Sequence, residues 1–473
     1  MIKHDYDIES AGSAMALTSL FDNLGELHLP VLLPASVLAL VANGDPIKFT
    51  AYLISNSIYN LYFHPLRKFP GPKLSAISII PYIRMFLSGH SHREIRELHQ
   101  KYGPIVRIGP NDLSLNHPDA MKDLRGHRQT GTGENSKDDV LAKYNADNML
   151  GANRQDHRRF RRALAHGFSN QSMMDQQPII TDYVNKFIRV MHEECYDGTK
   201  PLDIAKWFNF TTFDIIGDLS FGEGFGCLDA KDYHPWVNLI LEVANDLAFQ
   251  SCLGRIPGFN RLARLAASKG STDKLTEHGN MSKNKLRKRL ALGKDRSDFV
   301  DSMMRRTESS GSEITFEELA SNSRLLVFAG SETTATSLSA TIFYLTTNPE
   351  SLKKLVDEVR SSFKSEDDIV MVSVQRLSYL QAVLNESLRL FPPIINGTQR
   401  VIRDEGDTIV GHYVPGGASV DVWQWAVHHN PEHFTQPDNF IPERWLDDPR
   451  FENDAKRALQ PFSIGPRDCI GKK

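Results

Sequence analysis

The chain has 473 residues, with 55 lysines and arginines against 58 aspartates and glutamates, so its formal charge is −3. That near balance argues against nucleic-acid binding through bulk charge, which needs a strongly basic surface. Hydrophobic residues at 40% and charged residues at 24% exclude a disordered chain. Four cysteines (Cys195, Cys227, Cys252, Cys469) without Cys-x-x-Cys spacing exclude a disulfide scaffold and give no zinc site.

Residues 1–28 form a tail that carries Asp5, Asp7, Glu9, Asp22 and Glu26 and lacks the basic stretch of a cleavable signal peptide. Residues 29–63 form a possible membrane anchor. Its first apolar run, Leu29–Ala42, is interrupted by Pro30 and Pro34, and its second, Phe49–Phe63, contains Ser55, Asn56, Ser57 and Asn60. Neither reaches the ~20 apolar residues of a clean span. Together they read as a distorted anchor, a re-entrant segment or two interfacial helices, with a soluble amphipathic arm as the alternative. Tyr59, Tyr62 and Phe63, followed by His64, Arg67 and Lys68, suit a membrane–water boundary with positive charge on the cytosolic side. Residues 64–74 hold Pro65, Pro70, Gly71 and Pro72, a stiff break that reads as a hinge between anchor and body.

Residues 75–473 contain no long linker and no internal repeat, and read as one mainly α unit with small β-sheets. Helical periodicity runs through 181–194, 207–220, 317–347, 351–363 and 376–390. Alternation suited to strands is confined to 104–108, 112–115 and 408–422, where Gly411, Gly416 and Gly417 mark turns. The basic stretch 283–297 (Lys283, Lys285, Arg287, Lys288, Arg289, Lys294, Arg296) reads as a solvated connection between helices.

The chemistry lies near the C-terminus, in Phe462-Ser463-Ile464-Gly465-Pro466-Arg467-Asp468-Cys469-Ile470-Gly471. Glycines four before and two after the cysteine allow tight turns that aim amide N–H groups at the sulfur. Such donors and a nearby cation stabilise thiolate, the form that ligates metal. Phe462 can shield the sulfur from water. Taken alone, a cysteine of this kind is equally consistent with an inert thiol. Three further groups precede it in the chain. Glu386 and Arg389 stand at i and i+3, on one helix face, and Pro442-Glu443-Arg444-Trp445 follows. Ala329-Gly330-Ser331-Glu332-Thr333-Thr334 puts small residues, an acid and hydroxyls on the long predicted helix. Asp156-His157-Arg158-Arg159-Phe160-Arg161-Arg162 is strongly basic.

In order and spacing these motifs resemble the cytochrome P450 family, whose haem-ligating loop reads Phe-x-x-Gly-x-Arg-x-Cys-x-Gly. The resemblance covers about residues 60–471 and implies the mainly helical P450 fold, preceded by an N-terminal membrane-associated segment. It implies haem b with Cys469 as axial thiolate, Phe462 beside the sulfur, and Arg467 paired with a propionate. His157 stands where the family usually has tryptophan. With Arg161 and Arg400 it is implied to reach the propionates, while Arg158, Arg159 and Arg162 face an acidic electron donor or solvent. Glu332 and Thr333 are implied to deliver protons to dioxygen on the distal face. Glu386, Arg389 and Arg444 are implied to form a structural network rather than a catalytic one.

The stretch from Tyr59 to Lys73 resembles fungal microsomal members, in particular those similar to isotrichodermin C-15 hydroxylase. The implied activity is oxidation of an apolar small molecule in secondary metabolism. Dioxygen is the co-substrate, electrons come from NADPH through NADPH–cytochrome P450 reductase, and the site is the cytosolic face of the endoplasmic reticulum. Pocket residues are expected from 125–148, 225–260, Val327–Gly330 and Ile394–Asn396. The alternatives are a haem-thiolate isomerase or dehydratase, and an inactive haem-binding remnant. The last follows from the expectation that the sequence is truncated just after the loop, at Lys473, where family members continue.

Overall fold

The computed structural model describes residues 46–129, 132–138, 146–256, 269–293, 296–310 and 314–472; the tail and the first apolar run lie outside these. Helix α1 (Pro46–Ile58) continues through a wide turn, Tyr59–Phe63, into the proline-rich stretch. That stretch is not a free hinge. Arg107 donates from Nη1 to the Asn60 carbonyl at 2.8 Å, and its backbone N–H donates to the Pro70 carbonyl at 2.7 Å. A Cβ on Gly71 would lie 2.3 Å from the Arg107 carbonyl oxygen, so only glycine permits this approach. Residues from Asn60 onward are therefore docked on the body.

Helices α2 (Ile80–Leu87) and α3 (Ser91–Tyr102) lead into a five-stranded sheet. Its strands are β1 (Ile105–Gly109), β2 (Asp112–Leu115), β3 (Ser136–Lys137), β4 (Arg400–Val401) and β7 (Ser419–Val422), in the order β1-β2-β7-β4-β3. β2 and β7 run parallel, pairing Leu113 with Val420, and the other pairs are antiparallel. A separate hairpin joins β5 (Asp407–Ile409) to β6 (His412–Val414).

The helical layer comprises α4 (Arg154–Leu164), α5 (Asn170–Cys195), α6 (Ile204–Phe221), α7 (Pro235–Gly254), α8 (Lys269–Ala291), α9 (Phe299–Ser310), α10 (Phe316–Thr347), α11 (Pro349–Ser362) and α12 (Ser378–Leu390). Each helical period seen in the sequence falls within one of these, except that α11 ends one residue before the expected 363 and α12 starts two residues later than expected. Helix α10 begins with a reciprocal cap: Thr315 Oγ1 accepts from the Glu318 N–H at 3.2 Å, and Glu318 returns the bond to the Thr315 N–H at 2.9 Å. α6 and α10 form the central pair. Gly330 makes their approach possible, because a Cβ there would sit 2.7 Å from Ile216 Cδ1. Gly330 therefore serves helix packing.

Two cores result. One, among the helices, is built on Phe210, Phe213, Trp236, Val237, Leu286 and Val327, and the other lies under the sheet around Leu113, Leu115, Val420 and Phe434. Two expectations are corrected here. The basic stretch is mostly the end of α8, with Arg287 and Lys288 exposed, but Arg289 is 1% exposed, with Nε on Asp298 at 2.5 Å, and belongs to the interior rather than to a solvated connection. Val327 is wholly buried, and Phe225, Trp236 and Ile240 belong to the helical core, so these residues do not line a pocket. Of the apolar residues expected at a pocket, Phe328 and Ile394 stay exposed.

Buried His99 ties α3 to β2, with Nδ1 2.8 Å from the Gly103 carbonyl and Nε2 2.8 Å from Ser114 Oγ. Burial lowers its pKa from 6.5 to about 4, so the folded ring is neutral at pH 7. Between these values the unfolded chain binds the extra proton. The stability this group contributes is complete above about pH 6.5 and is lost as pH falls towards 4, at up to about 1.4 kcal/mol per pH unit. His99→Gln is expected to flatten the acid limb of the unfolding free energy by that slope; identical limbs in urea titrations at pH 4.5 and 6.5 would refute it.

Candidate active site

Glu386, on α12, lies fully buried between two fully buried arginines. Its Oε2 accepts from Arg389 Nε at 2.9 Å and from Trp445 Nε1 at 2.9 Å, and its Oε1 accepts from Arg389 Nη2 at 2.8 Å and the Ile441 N–H at 3.0 Å. Arg444 Nε stands 3.4 Å from Oε1 and also pairs with Asp454. Arg389 spends its other donors on the carbonyls of His428, Pro437 and Asn439, at 2.6–3.0 Å. One carboxylate thus fastens α12 to the whole 428–445 segment. The chain then passes through His428 Nε2, 3.3 Å from the Ala458 carbonyl, to the cysteine loop.

That loop is a closed turn. The Cys469 N–H donates to the Phe462 carbonyl at 2.8 Å, and Gly465 adopts φ +87°. A Cβ on Gly465 would fall 2.0 Å from the Arg125 carbonyl oxygen, so both the dihedral and the space require glycine. Ile464 packs on the sheet core and Ile470 on the helical core, which pins the loop at both ends. Phe462 is half-buried. Cys469 as a residue is exposed, yet burial around its sulfur raises the thiol above its ordinary pKa, while a hydrogen bond with the Gly471 backbone and the charge of Arg161 pull it down.

Beside the loop the structure gathers positive charge. Arg161 does not stand free for a carboxylate ligand, because Nη2 bonds Asp468 Oδ1 at 2.5 Å and Nη1 the Asp468 carbonyl. Arg467 Nη2 and Nε donate to Glu134 Oε1 at 2.7 and 3.0 Å, and Nη1 donates to the Ala152 carbonyl at 2.9 Å. His157 and Arg400 are buried in the same neighbourhood, together with Arg125 and Lys137, which no sequence motif singled out. Burial and this crowding of like charge push Lys137 down to about 6, Arg400 to about 9 and His157 to about 3. Among the described residues the buried Nε atoms of Arg125 and Arg400 find no hydrogen-bond partner.

On α10, Ala329 is exposed and its carbonyl accepts from Thr333 Oγ1 at 2.6 Å, a bond one turn long. Glu332 is desolvated, which raises its carboxyl above the ordinary range. Of the basic helix α4, Arg158 and Arg162 are exposed. Arg159 is not, since it pairs with Glu318 on α10 at 2.5 and 2.9 Å and with Asp156 at 3.0 Å.

A mainly helical body with small sheets and a glycine-turned cysteine loop beside a cluster of basic side chains is the arrangement of proteins that hold a haem by a thiolate. A family model described as Cytochrome P450 matches residues 70–473, and the chain belongs to that family. It is 50% identical over 422 residues to "Trichothecene C-15 hydroxylase" of Fusarium sporotrichioides, covering 89% of this chain and 86% of the relative. It is 42% identical to "Cytochrome P450 monooxygenase tpeC" of Talaromyces stipitatus (89% and 83% covered) and 39% identical to "Averantin hydroxylase" of Dothistroma septosporum (89% and 79%). The chain is accordingly a cytochrome P450 monooxygenase of secondary metabolism, a haem protein with a cysteine thiolate ligand and electrons supplied from NADPH through a reductase.

The residues present fit that cofactor. Haem needs a soft axial donor and cations for two propionates, and the loop offers Cys469 beside arginines with unpartnered buried N–H groups. The loop depends in turn on the Glu386 network. Glu386→Gln keeps the shape but leaves Arg389 and Arg444 short of a buried counter-charge, an expected loss of about 3–5 kcal/mol. Equilibrium unfolding measures it, and a change below about 1 kcal/mol would show that the backbone carbonyls satisfy both arginines alone.

Proposed function

We propose that Cys469 is the axial ligand and that the enzyme hydroxylates an apolar secondary metabolite. The observation that carries this reading is the loop itself, locked by Gly465 and by Ile464 and Ile470 so that Cys469 stands beside the basic cluster of Arg161, Arg467, Arg400 and His157. The relative at 50% identity is named for hydroxylating a trichothecene at C-15, and a compound of that type is the first substrate to test. Bound haem supplies the activation of dioxygen, one atom of which enters the substrate.

The chain's own residues provide the rest. Thr333, held against the Ala329 carbonyl, presents a hydroxyl that orients water at the exposed side of α10. Glu332 carries a carboxyl raised by desolvation and is therefore suited to hold and pass a proton. His157, Arg400 and Arg467 hold propionates, and Arg161 braces the loop through Asp468. Exposed Arg158 and Arg162 offer an acidic reductase a docking charge.

Cys469→Ala should lose the strongly red-shifted Soret band of the reduced carbon monoxide complex. Thr333→Ala should keep that band but divert NADPH-derived electrons to hydrogen peroxide. Retention of the band in the first variant, or product formed one-for-one with NADPH in the second, would overturn the respective role.

The N-terminal part lies on a membrane in this proposal, at the cytosolic face of the endoplasmic reticulum. Among the described residues no helix is long and apolar enough to cross one. Support comes from the exposed apolar side chains of Ile47, Ile54, Ile58, Tyr62 and Phe63, next to Arg67 and Lys68. In flotation with anionic vesicles, Ile54, Tyr62 and Phe63 changed together to serine should weaken binding about tenfold or more. Unchanged flotation would rule this surface out.

A further inference from the structure

Arg467 already holds a carboxylate. The edge formed by Nε and Nη2, the one that grips a carboxylate most firmly, is closed on Glu134 Oε1 at 3.0 and 2.7 Å. The pair is largely sheltered, with Arg467 7% and Glu134 23% exposed. Glu134 also lies within the electrostatic reach of Arg400 and Arg154, and it offsets the depression of Lys137, His157 and Arg400. It is the one carboxylate that bears on Arg467, Arg400, Lys137 and His157 alike among the groups named for them.

A haem propionate and Glu134 cannot both occupy the same edge of Arg467, since two carboxylates there repel and compete for the same N–H groups. The backbone next to Glu134 is fixed. Asn135, 2% exposed, donates from Nδ2 to Asp407 Oδ2 at 2.8 Å and to the Leu124 carbonyl at 3.2 Å, and its Oδ1 accepts from the Arg403 N–H at 3.3 Å. Release of Arg467 is thus a rotation of the Glu134 side chain, which needs no movement of the strand.

We propose that Glu134 is an internal stand-in for a haem propionate: it neutralises Arg467 before the cofactor arrives and is displaced from it when haem enters. The inference rests on the assignment of the basic cluster around Arg467 to the propionates. It makes Glu134 a positioning residue with opposite effects on the two states of the protein. It stabilises the empty protein by countering buried cations, and it weakens cofactor retention by competing for Arg467.

The test is haem release from the purified holoenzyme to excess apomyoglobin, comparing the parent protein with Glu134→Gln. The expected result is release slower by about fivefold, the scale of one charge-assisted hydrogen bond recovered. With haem dimethyl ester, which has no propionate charge, the two proteins should release at equal rates. The thermal midpoint of the apoprotein should fall in Glu134→Gln, and if that apoprotein does not fold, the release rate of the holoprotein decides alone. Equal or faster release of haem from the variant overturns the proposal, because it would make Glu134 a support for Arg467 or a bystander. A slower release that persists with the dimethyl ester also overturns it. Failure of the parent chain to show a thiolate-type spectrum would instead count against Cys469 as ligand, an outcome distinct from any of these.

Discussion

Everything around the reactive cysteine hangs from one buried carboxylate. Glu386 accepts from two arginines, an indole and a backbone amide and is wholly shielded from solvent. In such a setting each charge is tolerable only because the others are present. The arginines then satisfy carbonyls of the irregular 428–445 segment, which has few regular hydrogen bonds of its own. A long stretch whose regular structure is a single short 3-10 turn, Pro442–Trp445, can be rigid in this way, since ionic donors replace the ladder it lacks. The neutral imidazole of His428, held down to about 3 by burial and by Arg389, extends the brace to Ala458, shortly before the cysteine turn begins.

The basic cluster beside that turn obeys the opposite logic. Where Glu386 is over-provided with partners, Arg125, Arg400 and Lys137 are under-provided with negative charge, and depressed pKa values record the shortfall. Buried charge left in this state is costly, and a bound anion would offset it. One arrangement is closed on itself and the other has a surplus of positive charge, a difference that the arginines' positions in the sequence do not show.

Much of this was legible in the chain. The helices at 181–194, 207–220 and 317–347 were visible because each has an apolar stripe of helical period; Glu386 and Arg389 were visible because they stand at i and i+3, and Arg444 because it lies in a matching motif 58 residues after Glu386. Arg125, Glu134 and Lys137 were not legible as charged site residues, although they fall in the 125–148 stretch expected near a pocket: Glu134 and Lys137 are brought in by the pairing of β3 with β4, and Arg125 by its bond to the Thr398 carbonyl. Arg289 was misread for a related reason. A basic run looks solvated until Asp298, nine residues on, folds back onto one of its members. Gly330 shows a third limit: a small residue signals close approach but does not say what approaches, and here it is Ile216. Residues 1–45 lie outside the described structure, so the reading of the first apolar run stands on sequence alone.

The two isoleucines that bracket the cysteine have a mechanical meaning. Ile464 belongs to the sheet core and Ile470 to the helical core, so the ligand is slung across the seam between two separately packed masses. A cofactor seated there acts as a rivet through both plates: slippage of either one loosens it. Cofactor loss in this protein is therefore a sensitive gauge of damage far from the site, and a substitution that only softens the sheet should be seen first as bleaching of the chromophore.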